Sequence, residues 1–456
     1  MPQRTSAAAR RVIEEVRRLR STRVKVAVTD VDGVLRGKYL HKDKFLAAAE
    51  SGFGFCNVVF GWDANDAPYD NTTWTGWHTG FPDALVRLDL ATFRRVPWDG
   101  GVPFFLGDFV EASGAPGEVC PRQVYKRVLG RAARLGFEVL TGLEYEWFNF
   151  RETPQSIAAK NYVAPAPITP GMFGYSLTRA GQNQPYFQAL MEELQEFRVP
   201  LEGLHTETGP GVYEAAILYC AGVESGDRGV LFKQSVKDIG QRFGIMPSFM
   251  AKWSTQYPGC SGHVHQSLSD GKRNLFHDAR HPHRMSKLFG SYLAGQLALL
   301  EDIQCLYAPT VNSYKRLVDG MWAPVKRSWG VDNRTASLRV IPGSAKSTRL
   351  ETRCPGSDAN PYLALAACVG AGLWGIEKNL KLKDAPLAGD AARAAKIPRL
   401  PRSLAEATAN LKRSKVAPEL FGAAFVDHFV RTREWEWRQY QDAVTDWEMK
   451  RYFEII

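Results

Sequence analysis

Residues Gly142-Leu143-Glu144-Tyr145-Glu146-Trp147-Phe148 constrain this chain more than any other stretch. Val139 and Leu140 lead in, aromatic residues follow, and helical spacing is absent, so the segment reads as a β-strand. Residues two apart on a strand share a face, which sets Glu144 and Glu146 side by side, about 7 Å apart. Trp147 and Phe148 mark the strand as at least partly buried. Two carboxylates on one face of a buried strand repel each other and lose hydration, so they need cations nearby. An edge strand with two solvated glutamates is the plainer alternative, and the rest of the chain has to decide between the two.

Further candidates follow along the chain. Glu207 and Glu214 flank a tight Gly209-Pro210-Gly211 turn, although a turn with exposed acids would look the same. In Gly259-Cys260-Ser261-Gly262-His263-Val264-His265 the two histidines share a strand face, and imidazole with carboxylate suits Mn²⁺, or Mg²⁺ with assistance. The glycines of that lead-in let backbone amides approach a carboxylate or phosphate closely. Then come Arg316, Arg334, Arg339, Arg349 and Arg353. Arg349, Glu351 and Arg353 alternate along one strand face, either as a structural ion-pair ladder or as guanidinium forks for carboxylate and phosphate. Gly343 to Thr348 superficially suggests a phosphate loop, but the glycine spacing is wrong.

Elsewhere the chain reads as a small, mostly β region up to about residue 110, preceded by an amphipathic helix over about 5–20. A strand over 24–30 and its partner over 34–38 are joined by the hairpin signal Asp32-Gly33. Ser113-Gly114-Ala115-Pro116-Gly117 is the best linker. Helices and strands alternate after it: a helix over 122–135, long loops over 150–185, a helix over 184–197 and a buried apolar helix around 363–374. The net charge of +10 allows nucleic acid, but the densest basic cluster, from Arg10 to Arg20, has the spacing of a wet helix face. Polyanionic small substrates explain the excess arginine equally well. Seven scattered cysteines without a Cys-x-x-Cys pair argue against a disulfide framework and for reduced thiols in a cytoplasm. A signal-peptide core and an 18-residue apolar run are both missing, so neither secretion nor a membrane partner is expected.

Taken in this order, the motifs resemble those of the glutamine synthetase family, and the resemblance runs from Asp30-Val31-Asp32-Gly33 to about Arg451-Tyr452-Phe453. It implies an α+β chain: a small N-terminal β-grasp domain over 1–115 and a large glutamine synthetase-type catalytic α/β domain over 116–456. It also implies a homo-oligomer, usually a dodecamer of two stacked hexameric rings, with sites between neighbouring subunits. The family pattern places Glu146, Glu207 and Glu214 on one divalent ion, Mg²⁺ or Mn²⁺, and Glu144, His263 and Glu351 on a second. Arg316 and Arg353 match the arginines that hold glutamate. Arg334, Arg339 and Arg349 match those around the ATP phosphates, with Arg334 counted among the catalytic groups, and His265 lies on the nucleotide side. Asp63 matches an aspartate that binds ammonium from the adjacent subunit, and Tyr175 matches a tyrosine bordering that pocket.

The expected reaction transfers the γ-phosphate of ATP to the side-chain carboxylate of glutamate, and an amine then displaces phosphate to leave an amide. Six residues after Arg316, ammonia-using members carry a glutamate where this chain has Trp322. Indole cannot ionise to take a proton, but it offers apolar area and a π face to an organic amine. Asp63 and Glu207 are then the candidate bases. The region between Tyr362 and Tyr440 holds no tyrosine, which argues against the adenylylation control of some bacterial members. The expected function is therefore an ATP-dependent glutamate–amine ligase. Glutamine synthetase proper is the runner-up, and a non-catalytic structural or signalling member the third reading.

Overall fold

The computed structural model describes residues 6–456 except residue 112. The start expected for the first helix, at residue 5, lies outside them. The helix runs over Ala7–Arg18, with Val16 buried and Arg10, Arg11, Arg17 and Arg18 facing water, so its basic cluster is a solvated face as its spacing requires.

Five strands follow: β1 (Arg23–Thr29), β2 (Leu35–His41), β3 (Phe53–Cys56), β4 (Asp83–Val96) and β5 (Val102–Val110). They form one sheet in the order β2-β1-β5-β4-β3, with β1 parallel to β5. Between β2 and β3 lies a helix, Lys42–Ser51, which the sequence reading passed over. Phe45 and Ala48, three residues apart, are its buried stripe, too short to stand out as a period. Instead of an open linker, the 113–117 segment folds back on β5: the Glu111 amide donates to the Ala115 carbonyl (2.8 Å) and the Gly117 amide to that of Phe109 (3.0 Å).

The remaining strands are β6 (Glu138–Phe150), β7 (Leu201–Thr206), β8 (Val212–Ile217), β9 (Cys220–Ala221), β10 (Met246–Ser248), β11 (Gly262–Ser269), β12 (Trp329–Val331), β13 (Leu338–Ile341) and β14 (Arg349–Thr352). They build a nine-stranded sheet along β12-β13-β14-β11-β6-β8-β7, with β9 and β10 also paired to β6. β6 is thus central, not an edge.

Its odd-numbered residues hold it in place. Tyr145 and Trp147 are buried against Phe232 of the helix Glu224–Arg242, at ring separations of 6.0 and 5.5 Å. Burying aromatic side chains of this size stabilises by about 1.5–3 kcal/mol each. That fixes the strand's orientation and leaves its even-numbered glutamates on the opposite face. The apolar segment near 363–374 is a helix, Pro361–Glu377, buried almost all round. One continuous apolar core joins both sheets and these helices. All seven cysteines are free thiols. Among the described residues no helix is long and apolar enough to cross a membrane.

Candidate active site

Strand register assembles the site. On β6, Glu144 lies opposite His263 of β11, and Glu146 opposite Glu214 of β8. His265 lies opposite Glu351 of β14, which in turn faces Arg339 of β13. On the other side, Glu214 faces His205 of β7. Directly opposed residues share a face, so these pairings place a continuous row of acids, imidazoles and one guanidinium on the side of the sheet away from Phe232. A shift of one residue in any strand would turn its member of the row into the core.

Side-chain contacts follow this register. His263 Nδ1 lies 2.9 Å from Glu144 and 3.4 Å from Glu351, and His265 Nε2 lies 3.6 Å from Glu144. Arg339 pairs with Glu351 at 2.8 Å, Arg353 also grips that carboxylate, and Arg349 Nε donates to His265 Nδ1 at 3.1 Å. The Ser261 amide donates to Glu146 at 2.8 Å, the close approach expected of the Gly-Cys-Ser-Gly lead-in.

A cavity of about 420 Å³ opens on this row, with Glu144, Glu146, Glu207, Glu214, His263 and Arg353 on its inner wall. Tyr175, Trp322 and Arg334 close its outer side. Tyr175 and Trp322 are both largely exposed and both hold left-handed backbone, at φ 56° and 60°. Bulky residues adopt that conformation only when their surroundings hold them there. A second cavity, of about 340 Å³, shares Glu144 and is lined by His265, Arg349, Lys346, Tyr219 and Glu202.

Electrostatics explain why a cation is needed. Burial and the neighbouring Glu214 push Glu146 up to about 8. Burial also raises Glu214, against the pull of His205. Burial likewise opposes ionisation of Glu351, but His263 and Arg353 hold that carboxyl down to about 2. His263 is driven down to about 4 by burial and by Arg353, so its ring is neutral and keeps a lone pair. The Nε2 atoms of His263 and His265 are buried without a hydrogen-bond partner. Oxygen and imidazole donors in excess of the cations beside them fit a hard divalent ion such as Mg²⁺ or Mn²⁺.

Five of the six expected metal ligands stand in the row and Glu207 lines the same cavity, and two histidines with no expected metal role join them. Donor atoms of Glu144, His265 and Glu351 lie within 4.8 Å of one another, as do those of His205, Glu207 and Glu214. His263 keeps its contacts to Glu144 and Glu351, His265 joins that group, and His205 joins Glu207 and Glu214. His205 received no role from sequence, although it precedes Glu207 by two residues and so shares its parity. It bonds Glu214 at 3.0 Å and lies under the Tyr175 ring at 4.4 Å. Glu214 and the Thr206 carbonyl raise it to about 9 despite burial.

Two expected residues lie elsewhere. Arg316 is buried and gives its guanidinium to the carbonyls of Cys354 (3.1 Å), Arg353 (3.0 Å) and Pro355 (3.0 Å), so it does not line the cavity. Its sequence position marked it as a guanidinium near substrate, but local carbonyls satisfy it first. Asp63 lies in a separate cleft, accepting from Trp435 Nε1 at 3.1 Å.

Comparison with known proteins agrees with this geometry. Residues 118–452 match the family model described as glutamine synthetase, catalytic domain. Type-1 glutamine synthetase 2 of Dictyostelium discoideum is 51% identical over 98% of this chain and 86% of its own length. Glutamate–isopropylamine ligase of a Pseudomonas species is 35% identical over 95% of both chains. The ADP complex of GmaS superposes with a TM-score of 0.84 at 26% identity, covering 97% of this chain and 99% of that one. With the match spanning the whole acid–imidazole row and the arginines facing it, the chain belongs to the glutamine synthetase family of ATP-dependent glutamate–amine and glutamate–ammonia ligases.

Proposed function

We propose that this ligase joins the γ-carboxylate of glutamate to an organic amine through γ-glutamyl phosphate. The observation that carries the reading is Trp322 on the outer wall of the acidic cavity beside Tyr175, where ammonia-using members carry a glutamate. Two aromatic faces there would enclose an alkyl or aryl group and leave room for one substituent more than hydrogen. A relative named for isopropylamine at 35% identity supports the same reading.

In this reading glutamate lies along Arg353, and Arg316 acts as a positioning residue by holding the Arg353 carbonyl. ATP occupies the adjoining cavity, its phosphates met by Arg334, Arg339 and Arg349, with His265 beside them. Divalent ions held by the acid–imidazole row would neutralise the transferring phosphoryl group. The carboxylate attacks the γ-phosphate, ADP departs, the amine adds to the acyl carbon, and phosphate leaves with the C–O bond. The amine must shed a proton. An alkylamine of pKa near 10.4 is neutral in roughly one molecule per thousand at pH 7, so a base is required. Glu207 lines the cavity and can serve within one chain. Asp63 can serve only from a neighbouring subunit, which suits a closed ring of protomers, two of them stacked as a dodecamer, in the cytoplasm. The strand order β2-β1-β5-β4-β3, with its central parallel pair, supports reading residues 1–115 as a β-grasp unit beside a catalytic domain over 116–456.

Ammonia is the second reading, favoured by the relative at 51% identity that is named a glutamine synthetase. Phosphate release with glutamate, ATP, Mg²⁺ or Mn²⁺ and a panel of alkyl, hydroxyalkyl, polyamine and aryl amines separates the two. An organic amine is expected to give the highest kcat/KM. Ammonia outperforming the whole panel would reverse the order.

A further inference from the structure

A cavity of about 800 Å³, larger than the acidic one, lies elsewhere in the molecule. It lies between strand β10 and the helix Glu224–Arg242, and is closed on another side by the Asp32 turn and the helix Ala423–Asp442. Its volume is in the range of small-molecule sites.

The walls carry opposite charge. Lys233 and Lys237 stand one turn apart on the first helix. Lys233 is bonded only to the Ala359 carbonyl, at 3.2 Å, and lies over the rings of Tyr145 and Phe249. On that side Asp358 has one oxygen bonded to the hydroxyls of Thr310 and Ser313 and the other buried without a partner, so two ammonium groups face a single lining carboxylate. On the second wall Arg433, 3% exposed, meets Asp32 at 2.8 Å and gives its remaining nitrogens to Thr432 and the Pro309 carbonyl. Glu436 lies beside it and has no ion pair among the described residues. Asp32 and Glu436 on this wall therefore have one guanidinium between them. Between the walls the lining is apolar: Val34, Leu35, Ile245, Met246 and Phe249.

Each wall therefore carries two like charges for one counter-charge. Burial and the adjacent Lys237 push Lys233 down to about 8, and burial raises Glu436. An anion at the first wall and a cation at the second would relieve both, and one molecule bearing both charges does so while filling the apolar middle.

We propose that this cavity is a second ligand site, taking a small molecule with a carboxylate and an ammonium group on an apolar body. The carboxylate meets Lys233 and Lys237, and the ammonium meets Asp32 and Glu436. The site is independent of which amine the ligase uses.

Isothermal titration of the full chain with L-norleucine, hexanoate and pentylamine tests this. Norleucine is expected to bind, with hexanoate and pentylamine each at least about tenfold weaker. Lys237→Met and Glu436→Gln should each weaken norleucine by about tenfold or more while leaving ligase activity unchanged. Lys233→Met should do the same where it folds; the other two variants carry the test where it does not. The proposal is overturned by no norleucine heat up to about 10 mM, by equal affinity in wild type and both variants, or by a singly charged probe binding as well.

Discussion

Glu146 bears the greatest electrostatic cost in the acidic cavity. Its carboxyl titrates near about 8 in the folded chain, against an ordinary value near 4.3. The folded state therefore holds this proton longer than the unfolded state does. The contribution is most favourable at acid pH and is lost as pH rises from about 4.3 through about 8. In chelator, the melting temperature should fall over that window, and Mg²⁺ or Mn²⁺ should restore more of it at pH 8.5 than at pH 5.5. Glu146→Gln should flatten the slope, and an unchanged slope would remove Glu146 as its cause. Glu146→Ala should lower turnover by at least about 100-fold with the circular dichroism spectrum intact. In the proposed reading Trp322, at the outer wall, acts by shape and π face and not by charge. Trp322→Glu should raise kcat/KM for ammonia relative to the best organic amine, by about 2- to 30-fold if a cation–π contact of about 0.5–2 kcal/mol is what is lost. An unmoved ratio means that the amine preference is set elsewhere.

Strands, more than single residues, explain how much of this was legible beforehand. Glu144 and Glu146, His263 and His265, and Arg349 and Glu351 were readable because a two-residue period states which side chains share a face. Which strand lies beside which is a long-range property, so the grouping of Glu146 with Glu214 came from family resemblance and not from spacing, and the register of His265 opposite Glu351 came from neither. The same limit hides the added donors: sequence places His263 and His265 on one face, but only the neighbouring strands decide which imidazole meets which carboxylate. Arg316 was misplaced because backbone carbonyls leave no sequence mark. The glycine that opens β11 is a close-approach position, as its sequence setting suggested. A Cβ at Gly262 would lie 2.7 Å from the Gly356 carbonyl oxygen and 3.0 Å from the Tyr145 ring. Gly262→Ala should therefore cost about 1–3 kcal/mol by urea denaturation. It should also lower metal affinity, because His263 is the next residue along. A loss of stability with unchanged metal affinity would mean that the strand shifts without carrying the histidine with it.

At the scale of the whole molecule, the N-terminal sheet is tied to the rest by Asn360. Its Oδ1 accepts from the Tyr362 amide at 3.0 Å, capping the buried helix that starts at Pro361. Its Nδ2 donates to the carbonyls of Asp30 (3.2 Å) and Val31 (3.0 Å), at the end of the hairpin that carries Asp32. One side chain thus performs two separable tasks, and aspartate keeps only the first: it can cap but cannot donate. Asn360→Asp should leave two buried carbonyls unpaired and set a carboxylate against them, a loss of at least about 1–3 kcal/mol. Asn360→Ser caps without the added charge and should lose less. Because the apolar core runs unbroken from one sheet to the other, wild-type unfolding should be a single transition by both fluorescence and far-ultraviolet circular dichroism. Asn360→Asp should shift that transition as a unit. If an early transition confined to the N-terminal sheet appears instead, the joint is weaker than the core it bridges, and the Asp63 loop would be free to move independently of the acidic cavity.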